Sequence, residues 1–280
     1  MDDKEVKAML DAMNEDKQGG KKKFWSLDSK FEGTKTIRIL PPLTKKGETR
    51  FYFPHKVHWI ERVPYEALDQ TVVVDGKTLH EAERDPVQDY VKKLYNASER
   101  GSDEWKLASE INARPRYISR IIVRNPEDPT TEVQPVFYEY GPTIYNMLFH
   151  IMTETDFGII VDPKNGRDFN LTKTGVGRQS KYETSTPSAN TSPIFTDKDM
   201  LLKMFTSAME MDYSSLISFS SAAAKEEALN SYLGITKKTS VTVPDNAVTN
   251  TPAMEIPVVT QDFEDDTDDD IDSILDEFTK

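Results

Sequence analysis

Charge is distributed along this chain so unevenly that one end cannot take part in a fold. Residues 262–280 hold ten carboxylates and one lysine, which is −9 of the total net charge of −13. Such a run repels itself and has too little apolar surface to bury. Any compact structure must come from the other 261 residues, which carry only −4. Residues 21–124 reverse the sign, with 21 Lys and Arg against 15 Asp and Glu. The sequence pI near 4.9 therefore describes the tail and not the body. A basic body with its own acidic segment points to a polyanion as ligand and to the tail as its internal competitor.

The hydrophobic share is 37% and the mean hydropathy −0.60, which fits a folded core with disordered ends. No apolar run approaches the roughly 20 residues of a membrane span. The start, Met1, Asp2, Asp3, Lys4 and Glu5, lacks the basic and apolar regions of a signal peptide. Cysteine is absent, which excludes disulfides, thiolate zinc sites and cysteine nucleophiles, and cytosol is the natural reading.

Val6, Met9, Leu10 and Met13 share one face of an expected helix over 4–14, either packed on its own core or docked as an arm on a neighbour. Period-two patterns then predict strands over 24–27, 34–40, 51–53, 56–60 and 71–74, the last before an Asp75-Gly76 turn. Helices are expected over 86–95, 144–152, 197–211 and 214–233, and 105–111 reads as helix or extended connection. Strands are expected over 117–123 and 133–140, across a loop at 125–129. A hairpin is expected from 158–161 and 167–172. Residues 174–192 read as a mobile loop and 236–261 as linker. The class is α+β, and an oligonucleotide-binding (OB-type) β-barrel core with inserted helices, a helical C-terminal part and a disordered acidic tail is compatible with it. Periodicity alone does not select that barrel. The expected division is an arm (1–20), a core (21–235), a linker (236–261) and a tail (262–280).

Binding a single strand requires cations that track phosphates and flat rings that accept unstacked bases. Four segments interleave the two: Arg114, Arg116 and Tyr117 with Arg120 and Arg124; Tyr138 and Tyr140 on the next strand; Lys92 and Lys93 beside Tyr90, with Tyr95; and Arg178 and Lys181 ahead of Tyr182, with Lys173 also a candidate binding residue. Taken singly, each tyrosine reads as readily as a half-buried core ring. Strand alternation puts Arg116 and Arg120 on one face with Ile118, and Tyr117 on the other, so Arg116 and Tyr117 share a groove only if the strand twists or bulges.

In order, these segments resemble the T-even phage helix-destabilising (single-stranded DNA-binding) protein family. The resemblance runs through Trp25 to Leu27, Thr36 to Pro41, Asp85 to Tyr90, Arg114 to Val123, Pro135 to Gly141, Gly177 to Tyr182 and Asp265 to Asp276. It implies an OB-type core with DNA in a basic aromatic cleft, no catalysis, and action in replication, recombination and repair in the cytoplasm of an infected bacterium. Tyr95, Tyr117, Tyr138 and Tyr182 fall on cleft aromatics of the family and Arg114 on a basic cleft position. Trp105 sits where the family has tyrosine, and Ile118 where it has tryptophan. The family's structural zinc uses one His and three Cys. Here Asp85 and Gln88 stand at two thiolate positions and His55 or His58 at the histidine, so no cofactor is expected and packing replaces the metal. The family's N-terminal motif for contact between neighbours is not evident, which leaves self-association on DNA less secure than DNA binding.

Within the tail, Ile271, Ile274, Leu275 and Phe278 recur at helical spacing among Asp268, Asp269 and Asp270, with Phe263 upstream. The tail is expected to shield the cleft and, once displaced, to recruit replication, recombination and repair proteins. Two other classes stay open: an acidic-tailed interaction module or DNA mimic, and a metal-dependent nuclease using carboxylates such as Asp162 and Asp168.

Overall fold

The computed structural model describes residues 24–124, 134–154 and 157–235. The expected 4–14 helix, the 125–129 loop, the linker and the acidic tail lie outside the described residues. Along the chain run β1 (Gly33–Ile39), β2 (Phe53–Ile60), β3 (Val63–Glu66), β4 (Val72–Val74), β5 (Lys77–His80), α1 (Pro86–Ala97), α2 (Asp103–Ile111) and β6 (Arg114–Val123). Then follow β7 (Val136–Tyr140), α3 (Pro142–Thr153), β8 (Phe169–Lys173), β9 (Thr186–Pro187), α4 (Lys198–Glu210) and α5 (Ala222–Tyr232). The α+β class expected from periodicity is what forms: an antiparallel sheet with five helices among the described residues.

β6 organises the sheet. Its ten residues are rich in β-branched side chains. Its first half pairs with β2, its middle with β7, and its last three residues with β1. β1 continues to β8 and β9, β2 pairs with β3, and β4 and β5 form a separate hairpin. One side of this frame packs Ile37, Ile39, Ile121, Phe169 and Leu171 against Ile144, Leu148 and Ile151 of α3. α4 closes over Leu40, Leu43 and Ile122 through Met204 and Phe205. α1, α2 and α5 share a core of Ile60, Val87, Val91, Ile111 and Leu229. Each such fully buried side chain contributes about 1.5–3 kcal/mol of hydrophobic free energy.

Four elements differ from the sequence expectation. The 158–161 strand does not form. Arg38, fully buried, donates from Nη2 to the carbonyls of Asp162 (2.9 Å) and Ser192 (2.7 Å), and the chain wraps around that guanidinium. Gly166 permits the wrap, since a Cβ there would lie 2.3 Å from the Asp162 carbonyl oxygen. The 214–233 helix starts only at Ala222, because the Ser221 hydroxyl caps it by accepting from Ala224 N. β3 follows β2 through a two-residue turn at Glu61 (φ 49°) and Arg62 (φ 69°), a left-handed conformation that these residue types do not signal. Residues 24–27 contribute only a bridge from Trp25 to Tyr138.

A buried charge cluster joins α5 to the rest. Asp85 caps α1 by accepting from Val87 N and Gln88 N, and also accepts from Leu68 N at 2.7 Å. The Lys225 ammonium lies 2.8 Å from the same carboxylate and donates to the Glu66 carbonyl; His58 Nε2 lies 3.3 Å away. Burial alone would raise the Asp85 pKa, but His58, Lys225 and Leu68 N–H together hold it well below the ordinary carboxylate range. A carboxyl group depressed in the folded state stabilises fully above its unfolded pKa, about 3.9, and loses that contribution as pH falls further. Lys225→Met should destabilise by about 3–5 kcal/mol in urea unfolding, because Asp85 is left buried without its cation. A loss under about 1 kcal/mol would remove this cluster as a structural tie. Asp85→Asn should flatten the loss of stability below about pH 4.

Candidate nucleic-acid interface

Register on β6 and β7 sets up a chain of rings. Tyr117 pairs with Tyr140 and Ser119 with Tyr138, so both β7 tyrosines point to the side of the sheet that carries Tyr117. Trp25 meets Tyr138 edge-on at 5.4 Å, and Tyr138 lies 5.4 Å from Tyr140. Tyr140 stacks on Tyr117 at 5.9 Å and 24°, and Tyr117 on Tyr145 at 3.9 Å and 6°. Tyr145 and Phe149 are four residues apart on α3, hence on one helix face, with centroids 6.4 Å apart at 22°. Tyr52 braces the stack edge-on, 5.6 Å from Tyr117 and 5.1 Å from Tyr145, and its hydroxyl lies 3.1 Å from that of Tyr145. The chain runs from interior to surface: Tyr140 is 2% exposed and Phe149 57%.

Burial pushes the phenols of Tyr138 and Tyr140 up, and burial plus the Tyr145 hydrogen bond pushes Tyr52 up to about 12. These rings are neutral near pH 7. Beside Tyr52 opens a groove of about 400 Å³, lined by Lys46, Arg50, Pro54 and Val73 among others. Arg50 is exposed and makes no ion pair among the described residues, whereas Lys46 is 3.6 Å from Asp75.

The other face of β6 and β7 carries a charge relay. Arg116 donates to Glu139 at 2.8 Å, and His55 lies 2.9 Å from Glu66 and 3.3 Å from Glu139. Burial would lower the His55 pKa, but its interactions with Glu139 and Glu66 outweigh that and raise it. Glu139 is lowered against its own burial by His55 and Arg116. Pairing of β6 with β2 and β7 runs through 114–121 without a register shift, so Arg116 and Tyr117 keep opposite faces.

The residues expected at the interface do not form a single cluster. Tyr117, Tyr138, Tyr140 and Tyr182 come together around one core, while Arg116 is held by Glu139 on the opposite face of β6. Tyr95 and Trp105 pair at 5.6 Å on α1 and α2, away from it, and Arg114 sits with Trp59, Arg62 and Tyr232 around a different opening. Arg178 lies in a short turn at Gly177–Gln179, and Lys181 is exposed where its backbone pairs with Thr174. A correction concerns four side chains that are buried and offer no surface as they stand. Arg120 is held by Glu48 (2.8 Å), the Met211 carbonyl (2.9 Å) and the Tyr213 ring (4.3 Å). Lys173 donates to the carbonyls of Asp28 and Ser29. Tyr138 and Tyr140 are core rings, the latter 2.9 Å from the Ser119 hydroxyl. Ile118, too, is core, against Phe53 and Phe137.

Tyr52, Tyr145 and Phe149 were not among the expected site residues. The signal available was the 145/149 spacing on an expected helix, which carries no adjacent cation and so escaped a search for rings beside Arg or Lys. Asp162 and Asp168, the carboxylates a nuclease would need, are engaged: Asp162 accepts from Lys164 N and Asn165 N, and Asp168 pairs with Arg38 and Arg124.

The zinc that the resemblance implies does not fit. His58 Nε2 and the Gln88 amide oxygen are buried without hydrogen-bond partners. The carboxylate beside His58, that of Asp85, already holds the Lys225 ammonium, and a second cation there would be repelled. Ionic contacts at Asp85 stand in that place beside the packing of Ile60, Val87 and Ile111.

A sequence model of a protein family described as "gp32 DNA binding protein like" matches residues 32–238. Comparison with curated proteins gives no match. No helix among the described residues is long and apolar enough to cross a membrane.

A histidine raised in the folded state stabilises below its unfolded pKa, near 6.5, and loses that contribution as pH rises through the folded value. An NMR titration should place the His55 midpoint above about 6.5, and Glu139→Gln should bring it down. A midpoint unmoved by Glu139→Gln would break the relay.

Proposed function

Because this chain belongs to the gp32-like family of DNA-binding proteins, we propose that it is a non-catalytic protein that coats single-stranded DNA. The observation that best supports this is the chain of neutral rings that reaches the surface at Tyr52, Tyr145 and Phe149 beside the cations Arg50 and Lys46. Rings accept bases irrespective of sequence, and cations beside them take the phosphates. In this reading the body spans 21–235, its antiparallel sheet is a distorted OB-type core, and Arg116, Tyr117, Lys181 and Tyr182 flank the DNA path. Protection of single strands in phage replication, recombination and repair, within the infected bacterial cytoplasm, follows from that activity. The segment 1–20 serves contacts between neighbours on DNA and 236–261 serves as tether. The tail 262–280, through its carboxylates and the anchors Phe263, Ile271, Ile274, Leu275 and Phe278, competes for the basic surface and recruits protein partners once displaced.

A salt titration of oligo-dT binding tests the reading. Log affinity should fall linearly with log salt, by about 0.7 for each phosphate neutralised, and Arg50→Gln should reduce that slope by about one such step. Removing 262–280 should tighten binding at low salt and make little difference at high salt, where screening already suppresses the competition. Salt-independent binding, or none, would overturn the proposal.

A further inference from the structure

The ring chain assigns its members different work. Tyr117 stacks on both Tyr140 and Tyr145, at 5.9 and 3.9 Å. The near-parallel contact with Tyr145 takes one face of Tyr117, and Tyr140 lies against it from the neighbouring strand. Tyr145 is covered by Tyr117 on one face and braced edge-on by Tyr52. Tyr138 and Tyr140 are buried. The stack ends at Phe149, which is 57% exposed and meets Tyr145 at 6.4 Å and 22°. An apolar ring projecting from a helix into water, with a rigid stack behind it, loses little conformational entropy when a flat partner is laid on it.

We propose that Phe149 is the base-stacking platform of this interface, taking an unstacked nucleobase of single-stranded DNA on its open face, with Tyr117 and Tyr145 as positioning residues behind it. The inference rests on the single-strand reading given above. The occupant follows from chemistry: the ring has no polar handle, so it recognises a π-face and not a hydrogen-bonding edge. Arg50 lines a groove together with Tyr52, whose hydroxyl is 3.1 Å from that of Tyr145. A protein partner would instead call for a wider apolar surface around Phe149, whereas its neighbours Asn146 and His150 are exposed and polar, His150 being paired with Glu154 at 2.8 Å.

The test uses the full chain and a fluorescent oligo-dT, with an abasic deoxyribose-phosphate oligomer of equal length as control. Phe149→Ala should weaken oligo-dT binding by about 5- to 150-fold, the range of one lost stacking contact. It should leave the salt slope and the affinity for the abasic oligomer unchanged. Phe149→Leu, which keeps apolar bulk but has no ring, should resemble Phe149→Ala. Phe149→Trp should retain affinity, with indole fluorescence quenched by oligo-dT. The urea midpoint serves as the folding control for each variant. If the native chain binds oligo-dT with the expected salt slope and Phe149→Ala stays within twofold of it, this inference is wrong and the single-strand reading survives. Equal losses on oligo-dT and on the abasic oligomer would also overturn it. If the native chain does not bind oligo-dT at low salt, the single-strand reading itself fails.

Discussion

Pairing along β6 is the constraint on which the rest of the structure depends. One ten-residue strand bonds to β2, β7 and β1 in succession, so its register is fixed from three directions. A slip of one residue would exchange its two faces. Tyr117 and Ser119 would leave the ring chain, and Arg120 would lose Glu48 and Tyr213. The same alternation that builds the core thus decides which aromatic groups face α3 and which charged groups face β2. The candidate interface is a by-product of sheet register, extended to the surface by one turn of helix.

Buried cations are the second organising element, and they change what the basic composition means. Arg38, Arg120, Lys173 and Lys225 are each 2% exposed or less, and each donates to backbone carbonyls of segments distant in sequence. A long side chain ending in several donors can satisfy carbonyls in loops that no strand or helix partners. Breaking one such contact leaves unpaired groups in the interior, which costs more than a surface ion pair contributes. Positive charge in this body therefore serves two ends. Part of it holds irregular segments such as 158–168 and 211–213 in place, and only part remains at the surface for a polyanion.

That division explains what could be read from the sequence. β1, β6, β7, α1 and α4 were legible because period-two and helical patterns are local. The 158–161 segment was misread because its carbonyls close turns, Ile159 O accepting from Asp162 N and Ile160 O from Arg167 N, around the guanidinium of Arg38, which bonds the next carbonyl, that of Asp162, from more than 120 residues away and is encoded by no local pattern. Arg120 and Lys173 were misread for the same reason: a cation beside an aromatic residue looks the same in sequence whether it faces phosphate or a buried carbonyl. Tyr117 was legible as a strand aromatic, yet its ring partners were not, since Tyr52 and Tyr145 come from a loop and a helix on either side of it in sequence. The Asp85 substitution was legible as a departure from a thiolate site. That Lys225 of α5 would answer it was not.

A stack of rings differs physically from the same rings dispersed. An isolated surface phenyl group must be ordered when a base lands on it, and that ordering subtracts from affinity. Here Tyr145 is fixed by Tyr117 at 3.9 Å, by the Tyr52 hydroxyl and by α3, and Phe149 follows it on the same helix face. Neutral phenols behind Phe149 add no charge that would repel phosphate, because burial, joined at Tyr52 by the Tyr145 hydrogen bond, keeps Tyr52 and Tyr140 protonated well above neutral pH. In the function proposed above, the phosphate chain falls to Arg50 and its neighbours, where salt governs the interaction, and the base to a surface on which salt has little hold. Separating the two contributions in space would let a strand be held firmly without any one sequence being preferred.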